Sequence, residues 1–406
     1  MTDQEVNIHR RTALRRVGCA ALVGTAGCTD RLVDHSDDRP GSERTAGHMD
    51  GDWPMEHNDP TNSRAVSVAG PTGDVDVRWT REVDATLTGD PMVANSLVYH
   101  STPESETITA FEAATGDRIA TALTGATNGS PLYIAHNVGL VFEANGTGGI
   151  VRAIDIETGE EQWQESFSTH IAPMANYANG RFYVGTLFGG ELYALDEQNG
   201  TVLWTYETAD TTPGAPAADG NLVVVTTGEL LVGLSTATGE RLWSVRLDGE
   251  PAADPVLVSG TVLVGDDAGT VHAFDRSGTP KWHRTVSNRA VYSLAVEAST
   301  VYAGTTAGVW GLDLDSGEHL VTAHENNAAE GITAAGDRLY IAGGSRVTAL
   351  SYSSFEPDWT LELDALLRDG PTVLDSGVYV TTRPTGNESV ANDVPIPATL
   401  HALVEA

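Results

Sequence analysis

Few residues in this chain of 406 could do chemistry. Its two cysteines, Cys19 and Cys28, lie near the N-terminus, so the rest of the chain can hold no disulfide, thiolate metal site or cysteine nucleophile. Twelve histidines occur, but the HExxH, GxSxG, P-loop and GxGxxG motifs are absent. We therefore expect no catalytic, cofactor-binding or metal-ligating residue, although motifs alone leave the question of enzyme activity open.

Cys28 has surroundings that indicate a specific chemistry. It ends the stretch GTAGC (24–28), which resembles a lipobox, where small residues let a peptidase approach and the following cysteine takes the lipid. One acyl chain anchors a protein only marginally, so stable attachment would need two chains on Cys28. We expect Cys28 to become the first mature residue and to hold the protein at a membrane.

The residues before this cysteine have the order of an export signal. RRTALRR (10–16) is basic, and its Arg10 and Arg11 resemble the arginine pair of twin-arginine signals. The apolar run after it, VGCAALVGTAG (17–27), is too short to cross a membrane as a helix. We expect residues 1–27 to be removed on export and the mature protein to lie at the outer face of the cell membrane. A disordered tail with an incidental cysteine is the alternative.

The chain is strongly acidic. Its 23 basic and 56 acidic residues give a formal net charge of −33, which disfavours nucleic acid and anionic lipid headgroups as partners. The acids are scattered through apolar segments, which indicates a solvated surface suited to high salt, and an acidic patch for a cationic ligand is the alternative. Residues 28–52 are polar and aperiodic, so we expect a flexible tether there.

A short phrase, typified by AIDIETGEEQW (153–163), recurs along the rest of the chain. Its copies start at 110, 153, 194, 233, 273, 311 and 349, a spacing of 38 to 43 residues, and an eighth, partial copy ends the chain at 401–406. Such regularity is typical of repeat architectures.

The period contains four segments of strand character. In the third copy they are APMANY (172–177), RFYVGT (181–186), ELYALD (191–196) and TVLWTY (201–206), separated by turns such as ANG and QNG. Four antiparallel strands per period is a propeller blade, and a blade needs a neighbour on each side.

The count of repeats predicts an all-β, eight-bladed β-propeller over residues 75–406, preceded by a lead-in segment at 53–74. The last blade, TLHALVEA (399–406), stops before its fourth strand, and VDVRWTREV (75–83) is an isolated strand. We expect this N-terminal strand to complete the last blade and close the ring. A linear solenoid is the alternative.

Tryptophans recur at one place in the outer strand and are expected to pack between blades. The predicted packing residues are Trp79, Trp163, Trp204, Trp243, Trp282 and Trp359. Ala120 and Val321 stand at this position in two blades, which should pack less tightly. The acidic stretch GDDAGT (265–270) suggests either a Ca²⁺ loop or, in this repeat register, a hairpin turn, which we favour.

The A-x-D-x-x-T-G-x-x-x-W phrase resembles the PQQ-like, or quinoprotein-type, β-propeller repeat family. That family includes the lipoprotein scaffold that assists outer-membrane protein assembly in bacteria. In addition, WPMEHNDPTNSR (53–64) resembles an opening segment of exported propellers of halophilic archaea, although Asn62, Ser63 and Arg64 depart from its usual Thr-Gly ending. PQQ dehydrogenases would imply PQQ held by a vicinal disulfide, a Ca²⁺ ion and a catalytic Asp, and this chain has no cysteine after Cys28.

The sequence therefore favours a non-catalytic, lipid-anchored, monomeric propeller that binds a protein or cell-envelope partner through loops on one face. The insertion TRPTGNESVANDVPIPAT (382–399) is either a contact for that partner or a mobile loop. The alternatives are a PQQ- or small-molecule-dependent oxidoreductase that uses the central channel, and an extracellular sensor.

Overall fold

The computed structural model describes residues 57–406 except 84–89, 103–106, 124–132, 136, 146–147, 187–189, 209–213, 325, 368 and 384–397. The predicted export signal with Arg10 and Arg11, the lipidated Cys28, the tether and most of the insertion at 382–399 therefore lie outside the described residues. Within the described part, the regular structure consists of strands.

In the part of the chain that the structure describes, thirty-four strands are arranged in eight sheets. The lead-in contains β1 (Ala65–Val66) and is followed by β2 (Val75–Val83). Blades 1 and 2 contain β3 (Met92–Ala94), β4 (Leu97–Thr102), β5 (Thr107–Glu112), β6 (Arg118–Leu123), β7 (Tyr133–Ala135), β8 (Val138–Asn145), β9 (Gly148–Asp155) and β10 (Glu161–Phe167). Blades 3 and 4 contain β11 (Ile171–Ala178), β12 (Arg181–Thr186), β13 (Glu191–Asp196), β14 (Val202–Glu207), β15 (Ala217–Ala218), β16 (Leu222–Thr227), β17 (Leu230–Ser235) and β18 (Arg241–Arg246).

The other four blades repeat this order. Blades 5 and 6 contain β19 (Val256–Val258), β20 (Thr261–Gly265), β21 (Thr270–Asp275), β22 (Pro280–Thr285), β23 (Val291–Glu297), β24 (Thr300–Thr305), β25 (Gly308–Asp313) and β26 (His319–Ala323). Blades 7 and 8 contain β27 (Gly331–Ala335), β28 (Arg338–Gly343), β29 (Arg346–Ser351), β30 (Pro357–Glu362), β31 (Leu366–Leu367), β32 (Thr372–Leu374), β33 (Gly377–Arg383) and β34 (Ala398–Glu405), with β2 as the outer strand of blade 8.

The hydrophobic pattern of each strand follows its place in the blade. The second strands β12 and β16 are buried almost throughout because neighbouring blades cover both of their faces. The outer strand β14 alternates, and its Trp204 is buried while its neighbours are exposed or half-buried. Continuous apolar runs therefore mark the strands in the middle of the blades, and alternation of apolar and polar residues marks the outer strands.

The ring closes as the sequence predicted. β2 pairs antiparallel with β34, from Val75 opposite Glu405 to Val83 opposite Ala398. The N-terminal strand thus supplies the fourth strand that the C-terminal repeat lacks. The prediction of an all-β, eight-bladed propeller with four antiparallel strands per blade is confirmed.

Each predicted packing tryptophan lies in the outer strand of its blade, and its indole N–H donates to a carbonyl outside that blade. Five of these donors reach the turn between the third and fourth strands of the next blade: Trp79 to Ala113, Trp163 to Glu197, Trp204 to Thr236, Trp243 to Arg276 and Trp282 to Leu314, at 2.8 to 3.0 Å. Trp359 donates instead to Pro71 of the lead-in, at 3.1 Å, because the fourth strand of blade 8 is β2, so no hairpin joins it to the third strand, β34.

The glycine of the repeated phrase is part of the same contact. Gly200 has a φ of 72°, which disfavours other residues. A Cβ at Gly200 would come within 2.4 Å of the Trp163 ring, and one at Gly239 within 2.6 Å of Trp204. The phrase therefore encodes a socket in one blade for the indole of the preceding blade.

The propeller has two faces with different connections. On the turn face, short hairpins such as 197–201 join the third and fourth strands. On the connection face, longer segments such as 247–255 lead from one blade's outer strand to the next blade's inner strand. Among the described residues, no helix has the length and hydropathy that crossing a membrane requires.

Candidate functional site

The lead-in segment passes through the centre of the ring. Its carbonyls accept hydrogen bonds from the inner strands of four successive blades: Pro60 from the Ala218 amide, Thr61 from Leu257, Ser63 from Val296 and Arg64 from Ala334, at 2.7 to 2.9 Å. β1 then pairs in parallel with β27. The channel that eight blades would otherwise leave open is therefore threaded by the protein's own chain.

Polar side chains fix the lead-in in place. The amide nitrogen of Asn62 donates to the carbonyls of Ala215 and Pro255, at 3.2 and 2.9 Å, and its oxygen accepts from Asn176 at 3.2 Å. Asn62 has a φ of 59°, in the left-handed region that Asn tolerates better than most residues. Asp59 accepts the Thr61 amide at 2.7 Å and so holds the preceding turn. The departure at Asn62 from the usual ending of such segments thus has a structural role.

The lead-in leaves the channel on the turn face. The hydroxyl of Tyr340 donates to the carbonyls of Ala69 and Pro71, both at 2.9 Å. Burial raises the pKa of Tyr340, which keeps the phenol protonated and able to donate. From here the chain continues into β2, so the segment that fills the channel also leads to the strand that closes the ring.

A pocket of about 160 Å³ remains beside the lead-in on the connection face. Its wall is built from the lead-in and from the starts of five inner strands. The lining residues are His57, Asn62, Arg64, Asp90, Ala253, Asp254, Val256, Tyr292, Ser293, Leu294, Glu330, Gly331, Asp369 and Gly370. The pocket is thus a polar hollow at the axis, and most of its charged groups are acidic.

A hydrogen bond and an ion pair connect the lead-in to the blades at this pocket. His57 Nε2 lies 2.6 Å from Asp254 Oδ2, and Arg64 Nη2 lies 3.0 Å from Asp90 Oδ2. Asp90 also accepts the Gly370 amide, at 2.6 Å. Asp90 and Arg64 are buried, so each charge needs the other to offset its desolvation. Arg64 is further held at a φ of 49°, an unfavourable value for a residue with a side chain.

None of these pocket residues was expected as a site from the sequence. The prolines that begin several inner strands are visible in the sequence, but the acids beside them have no motif. Asp90 and Asp254 directly precede such prolines. Asp90 precedes the inner strand of blade 1, and Asp254 precedes the inner strand of blade 5. These positions indicate a site only because the ring brings the two residues into one pocket.

The resemblance to quinoproteins suggests PQQ as a cofactor. The space and charges at the axis of this propeller do not fit PQQ. PQQ is a fused tricyclic ring with three carboxylates. Residues 60–66 occupy the channel, and the pocket that remains has only about 160 Å³. Asp90, Asp254 and Glu330 in its wall would repel the carboxylates.

The stretch GDDAGT forms the hairpin turn between β20 and β21. Asp266 accepts the Thr270 amide at 2.7 Å and pairs with His272 at 2.8 Å, so its carboxylate is occupied within the turn. Across the described residues, no group of three or more His, Cys, Asp or Glu side chains could hold a metal ion.

The chain matches a known family model over much of its length. The family model described as outer membrane protein assembly factor BamB matches residues 61–170, 147–290 and 188–329. The assembly factor BamB of Nitrosomonas eutropha is 30% identical over 156 residues, which is 37% of this chain and 37% of that protein. The match therefore spans well under two thirds of this relative.

Solved structures share the fold at low identity. The BamB structure from Moraxella catarrhalis aligns with a TM-score of 0.61 at 17% identity, covering 81% of this chain and 99% of that one. A europium-containing methanol dehydrogenase aligns with a TM-score of 0.70 at 11% identity, covering 87% and 98%. Because proteins with different functions share this fold, the likeness shows architecture alone.

Proposed function

The chain belongs to the outer membrane protein assembly factor BamB family, and we propose that it is a non-catalytic, lipid-anchored scaffold that binds a protein or cell-envelope partner outside the cytoplasm. In this proposal the chain is exported, loses residues 1–27, and is held at the outer face of the cell membrane by Cys28. The propeller acts as a monomer whose rigid ring presents a binding surface.

The observation that carries this proposal is the threaded channel. A substrate or cofactor bound at the axis would need room there, and backbone hydrogen bonds from Ala218, Leu257, Val296 and Ala334 hold the lead-in in that space. The names of the relatives describe assembly factors, which supports binding to another protein.

We assign the partner surface to the connection face. The hairpins of the turn face are tight and take part in blade packing, as at Gly200 and Gly239. The connection face carries the longer segments, and the strand ends at Arg383 and Ala398, which flank residues 384–397, also lie there. Connections on a rigid scaffold are where such folds place recognition.

The rival proposal, a PQQ-dependent oxidoreductase, has a simple test. The purified protein is mixed with PQQ and Ca²⁺, separated from free quinone by gel filtration and assayed with an electron-accepting dye. We expect neither a retained quinone absorbance band nor dye reduction. Either result would favour the rival over the scaffold.

A site-specific photo-crosslinker tests the scaffold proposal directly. It replaces Tyr292, which is 47% exposed on the connection face, or, as a matched control, Leu242, which is 57% exposed at the outer edge of blade 4. After irradiation of intact cells, membrane proteins bound to each variant are identified by mass spectrometry. We expect one reproducible adduct from position 292 and none from position 242. Equal adducts from both positions, or none from position 292 in a folded protein, would contradict the proposal.

The anchor is tested by Cys28→Ser in the full-length chain. We expect this variant to move from the membrane fraction to the soluble fraction, with Cys19→Ser as the control that leaves membrane attachment unchanged. Membrane retention of Cys28→Ser would remove the lipid anchor from the proposal and leave the crosslinking result intact.

A further inference from the structure

The pocket on the connection face combines an unpaired acid with a buried, incompletely paired base. We propose that it binds a small zwitterion, an α-amino acid, with the ammonium group facing Glu330 and the carboxylate facing Arg64. This goes beyond the scaffold function and does not depend on it, because the site lies within one chain and needs no partner.

The acidic side of the pocket is provided by Glu330. This carboxylate is half-buried and forms no hydrogen bond or ion pair with any other described residue. Tyr292 lies at the same pocket with 47% of its surface exposed, so its ring is available to an ammonium group. A carboxylate next to an accessible aromatic ring is a favourable site for an organic cation.

The basic side is provided by Arg64 of the lead-in. The Arg64 side chain is 9% exposed, and Nη2 pairs with Asp90 while Nη1 has no hydrogen-bond partner among the described residues. Nη1 lies against Gly370 of the pocket wall, where a Cβ would come within 2.0 Å of it. His57, which lines the same pocket, is 7% exposed, and its Nδ1 has no hydrogen-bond partner within the described part of the chain. Buried polar groups normally find partners, and a carboxylate is the preferred partner of a guanidinium.

The size and charge of the pocket narrow the ligand class. A cavity of about 160 Å³ equals the volume of roughly five water molecules, enough for a small amino acid. A simple anion would meet the acids Asp254, Glu330 and Asp369 and would bring no positive charge of its own to offset them. A bare metal ion would lack ligands, because no group of three ligating side chains is present among the described residues. A small molecule with both charges can pair its positive group with Glu330 and its negative group with Arg64.

Titration calorimetry with L-alanine tests the proposal at constant ionic strength. Propionate and ethylamine serve as the comparison, since each retains one of the two charged groups. We expect saturable binding of alanine and binding of propionate and of ethylamine that is weaker by about tenfold or more. If ethylamine binds as well as alanine, the pocket is a cation site and the proposal is wrong; no saturable alanine binding would overturn it as well.

Substitution of the acid identifies the site. Glu330→Gln keeps the shape of the side chain and removes its charge, and Glu318→Gln changes an exposed acid in the blade 6 hairpin as the control. We expect alanine affinity to fall about tenfold or more in Glu330→Gln and to stay unchanged in Glu318→Gln. Equal affinity in the two variants would exclude Glu330 and overturn the assignment. The crosslinking experiment is read separately, so failure of either proposal leaves the other open.

Discussion

Single side chains connect neighbouring blades in this ring. Besides the indole hydrogen bonds, an ion pair joins Asp219 in the first hairpin of blade 4 to Arg276 in the last hairpin of blade 5. Asp219 also accepts the amides of Asn221 and Leu222, both at 3.0 Å. Burial opposes ionisation of this carboxyl, but the bonds from Arg276 and the two amides prevail and lower its pKa.

The lowered pKa gives a pH prediction for Asp219. A carboxylate with a depressed pKa in the folded state stabilises the protein above its unfolded pKa, near 3.8, and that contribution is lost as the pH falls through the folded value. We expect Asp219→Asn to lower the unfolding free energy by about 1 kcal/mol at pH 7. The difference from the parent protein should vanish in strong acid.

Urea unfolding of Asp219→Asn and of the parent protein, at neutral and at acidic pH, measures the difference in their unfolding free energies. Asp248→Asn, which changes an exposed acid, is the control and should alter stability little at either pH. A deficit of Asp219→Asn that persists unchanged in strong acid would show that the charge of Asp219 is not its source.

At the scale of the blade, the contact between blades 6 and 7 departs from the repeat in two places that compensate. Val321 stands where six of the outer strands have Trp, and Phe355 stands where the hairpins of the other phrases have Gly, with a φ of 56°. Tyr302 of blade 6 stacks on Tyr352 of blade 7 at 5.4 Å, and Phe355 lies 6.4 Å from both rings. Blade 7 thus supplies aromatic rings where blade 6 has no indole.

This compensation predicts coupling between two substitutions. Val321→Trp alone should crowd Phe355, and Phe355→Gly alone should leave the gap unfilled, each with a loss of about 1–3 kcal/mol. The double variant recreates the indole and its glycine socket. We expect it to be more stable than the sum of the two single effects by about 1 kcal/mol or more, measured by a urea double-mutant cycle. Additive effects would show that the two positions are independent.

At the scale of the whole molecule, the formal net charge of −33 creates self-repulsion that opposes the compact state and that salt screens. Salt reduces the Debye length from about 10 Å at 0.1 M to about 3 Å at 1 M. We therefore expect the melting temperature to rise by several degrees when KCl is raised over this range. Sucrose at matched osmolality is the control for solvent exclusion, and an equal rise in sucrose would contradict a charge-screening origin.

The repeated phrase made the ring predictable from the sequence. The contacts at the centre of the ring could not be predicted in this way. Strand order, blade number and closure follow from a phrase that recurs at even spacing, and β2 completes blade 8 as expected. The pocket depends on contacts that occur once and join distant parts of the chain, such as His57 with Asp254. A contact that occurs only once leaves no recurring signal in the sequence. Asn62 and Arg64 could therefore be recognised as unusual residues, but their positions at the axis of the ring could not be predicted.

Amide hydrogen exchange tests most directly whether the lead-in fills the channel. The amides of Ala218, Leu257, Val296 and Ala334 have lead-in carbonyls as their acceptors. In the mature protein these four amides should exchange slowly. In a chain shortened to begin after Arg64 they should lose their protection, whereas amides within the second and third strands of each blade should remain protected. If the four amides of the mature protein exchanged as fast as those of exposed hairpins, the channel would be open and the account of this protein as a threaded scaffold would be wrong.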